Sequence, residues 1–261
     1  MTFGIADSSI IPMRREKSGR SEMVSQLLFG EVYEVLEFED KWLNIRLLHD
    51  GSCGWIDRKS YKEVGTEFVE RYRASDQLIM SEVFNLVVKK GDWENKMIVA
   101  GSVLPFYDAY AKKLMIGEEE YVVRGFLREV GIESLRELLI QYALMFYNAP
   151  YRWGGRTPNG VDSAALVQMV YRLAGMALPR YIEQQVAEGQ TLSFLEEAQS
   201  GDLAFFGDNS GAITHVGILW EQGRIIHASG KVRVDKIDHH GIFNEEMKRY
   251  THTLKVLKQF F

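Results

Sequence analysis

The chain has 261 residues and a mass of 30.0 kDa, the length of one large domain or of two to three small ones. Hydrophobic residues at 46% and charged residues at 26% describe a globular protein and exclude a disordered one. The net charge of −5 lacks the basic surplus of a nucleic-acid binder, and the single cysteine, Cys53, excludes an intrachain disulfide and a cysteine-held metal centre.

The N-terminus reads MTFGIADSSIIPMRREK, in which Asp7, Ser8 and Ser9 interrupt any apolar run of signal-peptide length. No stretch approaches the roughly 20 apolar residues that cross a bilayer. A soluble cytoplasmic protein without a membrane span is expected, unless a leader has been trimmed. Residues 1 to about 130 lack long helical periodicity. Short runs at period 2 read as antiparallel strands between turns: Gln26–Phe29, Glu31–Leu36, Trp42–Leu47 and Gly54–Ile56. Phe84–Val88, Met97–Gly101, Leu104–Tyr107 and Tyr121–Gly125 repeat the character, so two small all-β barrels are expected, 1–65 and 66–130. The strand-entry residue Cys53 is expected to be structural.

At residue 131 the period changes. Apolar residues at 135, 138, 139, 142, 145 and 146 mark an amphipathic helix, with Ser134 and Glu137 spaced for a capping box. A tightly shaped loop holding Pro150, Gly154, Gly155, Pro158 and Gly160 follows, then a second helix from Ser163 that Gly175 can stop. Beyond Gly201 the strand pattern returns in Leu203–Phe206, Ile213–Trp220, Arg224–Ala228, Lys231–Ile237 and Thr253–Leu257, with Glu221–Gly223 as a hairpin turn. Helices first and an antiparallel sheet afterwards make residues 131–261 an α+β domain.

Two features of that domain suggest chemistry. Asp162 and Ser163 stand at a helix start, where unpaired N–H groups and the dipole favour a nucleophile's anion or an oxyanion. The plainer alternative is an N-cap. His215 and His227 lie in two apolar strands joined by a short hairpin, so both rings can share one face, one as base and the other as its orienter. His239 and His240 sit in a polar loop and read as solvated.

Tyr151-Arg152-Trp153-Gly154-Gly155, Asn159-Gly160-Val161-Asp162-Ser163, Leu178-Pro179-Arg180, Gly201-Asp202-Leu203, Thr214-His215-Val216-Gly217-Ile218 and Ile226-His227-Ala228-Ser229 resemble, in order, the motifs of the NlpC/P60 cell-wall peptidases. Spacings of 12 residues from Tyr151 to Ser163, 52 on to His215 and 12 on to His227 also fit. The resemblance implies a papain-like α+β domain preceded by two bacterial SH3-like barrels. It further implies a branch that cuts between γ-D-glutamate and the diamino acid of short, already trimmed stem peptides. On that resemblance Ser163 takes the nucleophile position, His215 is the base and His227 its orienter. Tyr151 lines the oxyanion region, and Asp162 helps hold the substrate's free amine. Glu22 and Trp55 of the first barrel are the acid and aromatic that close one end of the cleft. The expected partner is a small murein-derived peptide, with no nucleic acid, and no metal or other cofactor is implied.

The family pattern Asp-Cys-Ser-Gly reads Asp162-Ser163-Ala164-Ala165 here, and Tyr181 and Ile182 stand where the branch carries small polar residues for the glutamyl carboxylate. A thiol with a pKa near ~8.5 forms a thiolate beside an imidazolium; an alcohol does not. Weak or absent catalysis is therefore expected, with peptide binding retained. Natural divergence explains Ser163, Ala164, Ala165, Tyr181 and Ile182 together, whereas an engineered Cys-to-Ser change explains Ser163 alone. Two other readings stay open: a binding or scaffold protein that uses its SH3-like domains while Tyr181 and Ile182 plug the old cleft, and a working serine hydrolase.

Overall fold

The computed structural model describes residues 1–125, 127, 134–208, 210–221 and 223–261. The chain forms two compact units, 1–129 and 130–261. In the first, β1 (Thr2–Ile5), β2 (Ile10–Arg14), β3 (Met23–Leu28), β4 (Val32–Phe38), β5 (Trp42–Leu47), β6 (Cys53–Asp57) and β7 (Glu63–Val64) make one antiparallel sheet, in the order β3-β2-β6-β5-β4-β1-β7. Alternate residues such as Ile11, Met13, Leu43, Ile45 and Ile56 point into one core, as period 2 requires. Cys53 opens β6 and is exposed.

Helix α1 (Thr66–Ala74) follows, where no helix was expected. Val69 is its one fully buried residue, so its apolar stripe is too narrow to stand out in the sequence. β8 (Leu78–Ile79) pairs with β11 (Val103–Leu104), while β9 (Phe84–Lys89), β10 (Asn95–Val99), β12 (Lys113–Ile116) and β13 (Glu119–Val123) form a four-stranded sheet. The strand expected over Leu104–Tyr107 ends at Leu104, because Phe106 adopts a φ of 52°. One core joins Phe3, Ile5, Phe29 and Val32 of the early strands to Val87, Ile98, Leu114 and Tyr121 of the later ones. The buried Tyr121 hydroxyl donates to Asp7 Oδ1 at 2.9 Å, and Lys96 Nζ donates to the same oxygen at 2.8 Å, so these polar groups at the core are paired.

In the second unit, α2 (Leu135–Met145) carries the expected capping box: Glu137 N donates to the Ser134 hydroxyl and the Glu137 carboxylate accepts from Ser134 N. The hairpin β14 (Arg156–Thr157) and β15 (Gly160–Val161) leads into α3 (Ser163–Leu173), which Gly175 ends at a φ of +84°. The short helix α4 (Ile182–Gln185) and β16 (Gln190–Leu192) follow, neither marked by periodicity. Then come β17 (Leu203–Gly207), β18 (Ile213–Trp220), β19 (Arg224–Ser229), β20 (Lys231–Asp238), β21 (Gly241–Asn244) and β22 (Arg249–Gln259). Gln222 of the Glu221–Gly223 turn lies outside the described residues.

The sheet order is β16-β22-β17-β18-β19-β20-β21, and β21 also pairs with β22, so the six strands from β17 to β22 close on themselves. Helix α3 packs on β18 and β19, and its Leu166, Val167, Met169 and Val170 are all fully buried. Each such side chain contributes about 1.5–3 kcal/mol of transfer free energy. That packing fixes the N-terminus of α3 relative to the strands bearing His215 and His227.

Candidate active site

Asp162 holds the start of α3. Its φ of −89° and ψ of 172° are those of an N-cap, and its Oδ1 accepts from Ala165 N at 2.7 Å. Oδ2 accepts from Gly154 N at 2.9 Å, an approach that the φ of +73° at Gly154 makes available. The Arg180 guanidinium adds a fork, Nη1 to Oδ1 at 3.1 Å and Nη2 to Oδ2 at 2.5 Å. Both side chains are buried. One carboxylate thus ties the loop after Tyr151, the first turn of α3 and the Leu178–Arg180 segment together. Gln185 adds a second tie, its Nε2 donating to Ala164 O at 3.0 Å and Pro179 O at 2.8 Å.

Ser163 is the first residue of α3 and is buried. Its hydroxyl makes no hydrogen bond among the described residues. Tyr151 N donates to Gly230 O at 2.9 Å, and its ring is half exposed. Burial, then the negative charge of Asp162, push the Tyr151 phenol above its ordinary pKa against the opposing pull of Arg180. Tyr181 caps α4 and Ile182 begins it, both half buried. In the first unit, Glu22 pairs with Arg15 Nε at 2.8 Å, and Trp55 on β6 lies beneath Lys17 Nζ, 5.6 Å from the ring centre.

The histidines do meet. His227 stands opposite Gly217 in the β18–β19 register, so His215, two residues along, shares its face. A Cβ at Gly217 would lie 2.9 Å from His227 Cβ and 2.7 Å from Ile225 Cδ1, so only glycine leaves room for the ring. His215 Nε2 is 2.9 Å from His227 Nδ1, and His227 Nε2 is 3.1 Å from Asp235 Oδ2. Arg233 closes the chain with Nε 2.8 Å from Asp235 Oδ2 and Nη2 3.0 Å from Oδ1. Burial pushes the Asp235 carboxyl up, but hydrogen bonds from His227 and Arg233 outweigh it, so the group stays below its ordinary pKa and ionised.

An ionised Asp235 only accepts, so His227 Nε2 carries a proton. The tautomer with that proton on Nε2 leaves Nδ1 able to accept. His215 Nε2–H then donates to it, and His215 Nδ1 is left with a free lone pair. That nitrogen can act as a general base.

His252 on β22 completes the cluster: its ring stacks on His215 with centroids 4.1 Å apart, and its Nδ1 is 2.9 Å from Thr251 Oγ1. Burial lowers His215 well below its ordinary pKa, with His227 and His252 adding to the effect. Burial, then the charge of His227, push His252 down to about 4, with Asp235 opposing. For both rings the folded value lies below the unfolded value of about 6.5, so the unfolded chain binds protons that the native one refuses. Their stabilising contribution is complete above about pH 6.5 and is lost as the pH falls toward 4. The melting temperature is therefore expected to drop across that window, and His252→Phe to flatten the drop; an unchanged slope would contradict the assignment.

Asp235, Arg233 and His252 were not singled out in the sequence. Arg233 and Asp235 at i, i+2 on one strand face, next to the His227 strand, were the available signal for the first two. His252 had none, since its place depends on which strand β22 joins.

Comparison with known proteins gives this geometry a family. Residues 148–252 match the model of the NlpC/P60 family, and residues 13–60 match that of the bacterial dipeptidyl-peptidase Sh3 domain. The chain carries an NlpC/P60 domain. Dipeptidyl-peptidase 6 of Lysinibacillus sphaericus is 26% identical over 253 residues, 87% of this chain and 89% of that protein. The bifunctional muramidase/DL-endopeptidase CwlT of Bacillus subtilis (strain 168) is 41% identical over 103 residues, 38% of this chain and 31% of CwlT. The crystal structure of an NlpC/P60 family protein from Bacillus cereus ATCC 10987 superposes over 98% of this chain and 99% of its own, with a TM-score of 0.82 at 15% identity. The shared fold is thus a papain-like NlpC/P60 domain with an SH3-like domain before it. The NlpC/P60 match spans Tyr151, Asp162, Ser163, Arg180, His215, His227 and His252.

Proposed function

We propose that this chain is a peptidoglycan stem-peptide protein of the γ-D-glutamyl-L-diamino-acid endopeptidase type, in which Ser163 holds the nucleophile position and hydrolysis is weak or absent. The observation that carries the reading is the His215–His227–Asp235 relay. Both ring nitrogens of His227 have partners, and the strands that carry His215 and His227 pack on the helix that begins with Ser163. The relatives' names support the peptide chemistry.

The alcohol sets the outcome. A hydroxyl has to lose its proton in concert with attack, and a site shaped for sulfur offers an oxyanion pocket placed for the longer C–S bond. Binding needs none of this. Tyr151 lines the oxyanion side, and Tyr181 and Ile182 replace polar contacts to the glutamyl carboxylate with apolar ones. On this reading Glu22 and Trp55 belong to the first of two SH3-like barrels, 1–65 and 66–130. Asp162 does not act as a free amine acceptor on this reading, since Arg180, Gly154 and Ala165 already occupy its oxygens.

The test is direct. Wild-type protein is incubated with L-Ala-γ-D-Glu-diaminopimelate, released L-Ala-γ-D-Glu is followed by mass spectrometry, and binding is followed by calorimetry. Saturable binding with little or no release is expected. Robust turnover that disappears in Ser163→Ala would refute the inactive reading; no binding at all would favour a scaffold role with the cleft plugged.

A further inference from the structure

We propose that His215, His227 and His252 form a three-histidine binding site for a transition-metal dication of the zinc class. The proposal goes beyond peptide binding and does not depend on it. Three imidazoles from β18, β19 and β22 converge, and one ring nitrogen of each lies within 4.8 Å of the other two. His215 and His227 are buried and His252 is half buried.

Zinc holds imidazole nitrogens at about 2.0–2.1 Å, which in a tetrahedral site sets them about 3.3 Å apart. The 2.9 Å between His215 Nε2 and His227 Nδ1 must open by a few tenths of an ångström and the rings must tilt toward a shared point. The His215–His227 pair is T-shaped and His252 stacks on His215 at 27°, so the His252 ring must turn for its lone pair to converge with the other two.

The surrounding polar groups match what a metal-bound histidine requires. Such a ligand normally gives its second nitrogen to a carboxylate, carbonyl or hydroxyl, which fixes the ring. His227 does so with Nε2 on Asp235, and His252 with Nδ1 on Thr251. In both, the remaining nitrogen is the one left for the ion. An all-imidazole set selects Zn²⁺, Co²⁺, Ni²⁺ or Cu²⁺ and rejects Mg²⁺ and Ca²⁺, which want oxygen. Three protein ligands also leave a fourth position open. The sequence hid this set, because 215, 227 and 252 follow no short ligand spacing.

A dication here would occupy the lone pairs that the relay uses, so His215 cannot serve as base and ligand together. The metal experiment needs no peptide, so its failure is separate from that of the peptide reading.

The untagged full chain, freed of metal with chelator, is titrated with ZnCl₂ by calorimetry, and with CoCl₂ while visible absorption is recorded. One equivalent of Zn²⁺ and tetrahedral Co²⁺ bands are expected, with no heat from MgCl₂. His252→Phe keeps a ring in the stack and removes the ligand, so it is expected to abolish stoichiometric binding while the melting curve stays cooperative. Asp235→Asn, which acts through His227, is expected to weaken binding about 10- to 100-fold. No binding by the wild type would overturn the proposal. So would binding that survives His252→Phe and is lost in His240→Ala, which would move the ion to the exposed Asp238, His239 and His240 group.

Discussion

Ser163→Cys is expected to raise the rate of release of L-Ala-γ-D-Glu from L-Ala-γ-D-Glu-diaminopimelate by on the order of 10³-fold or more. Loss of a triad nucleophile costs about 10⁶-fold where it has been measured, which sets the scale of what a restored one can recover. Three features of this chain favour the gain. The helix dipole of α3 stabilises an anion at its first residue. His215 offers a bare Nδ1 as long as Asp235 holds His227 in the Nε2–H form. The proton of a thiol, unlike that of an alcohol, can pass to imidazole in the ground state. The product is measured by mass spectrometry beside the wild type. A folded but silent variant would mean that Ala164, Ala165, Tyr181 or Ile182 has closed the site, which is the outcome a scaffold role requires.

The second large effect concerns stability. Arg180→Ala is expected to destabilise the chain by about 3–5 kcal/mol, because it leaves the buried Asp162 carboxylate without its guanidinium. The backbone donors Ala165 N and Gly154 N remain, and they keep the loss from being larger. Arg180→Lys is expected to recover only part of it, since one ammonium cannot reproduce the two-pronged contact. Urea unfolding checks this: the midpoint should fall with little change in slope. A loss under about 1 kcal/mol would place the pair among solvent-screened ion pairs, contrary to its burial.

The legible parts of the sequence were those with local signals. The capping box at Ser134 and Glu137 and the wide apolar face of α3 are visible because each involves residues within a few turns. The His215–His227 pair was visible because a tight hairpin makes register nearly local. Helix α1 was missed for its single fully buried residue, and β21 for its length of four. Strand β22 was read only from Thr253, because Arg249, Tyr250 and Thr251 are exposed and lack the buried alternation that marks a strand. That same stretch carries His252, so the cluster's third ring stayed hidden with it. At Asp162 the sequence left an N-cap and a ligand contact both open. The geometry favours the cap, since its oxygens are taken up by backbone donors and by Arg180, whose role depends on a loop 18 residues away.

Residue 163 has to meet the His215 relay for any of this chemistry, and thiol reactivity reports that most directly. In a Cys53→Ser background, which removes the one native thiol, Ser163→Cys is alkylated with iodoacetamide across pH 5 to 9. A thiolate paired with imidazolium reacts well below the pKa of ~8.5 of a free thiol. Rapid alkylation at pH 6 that is lost when His215→Ala is added is the expected result; a profile rising only near pH 8.5, the same with and without His215, would contradict it.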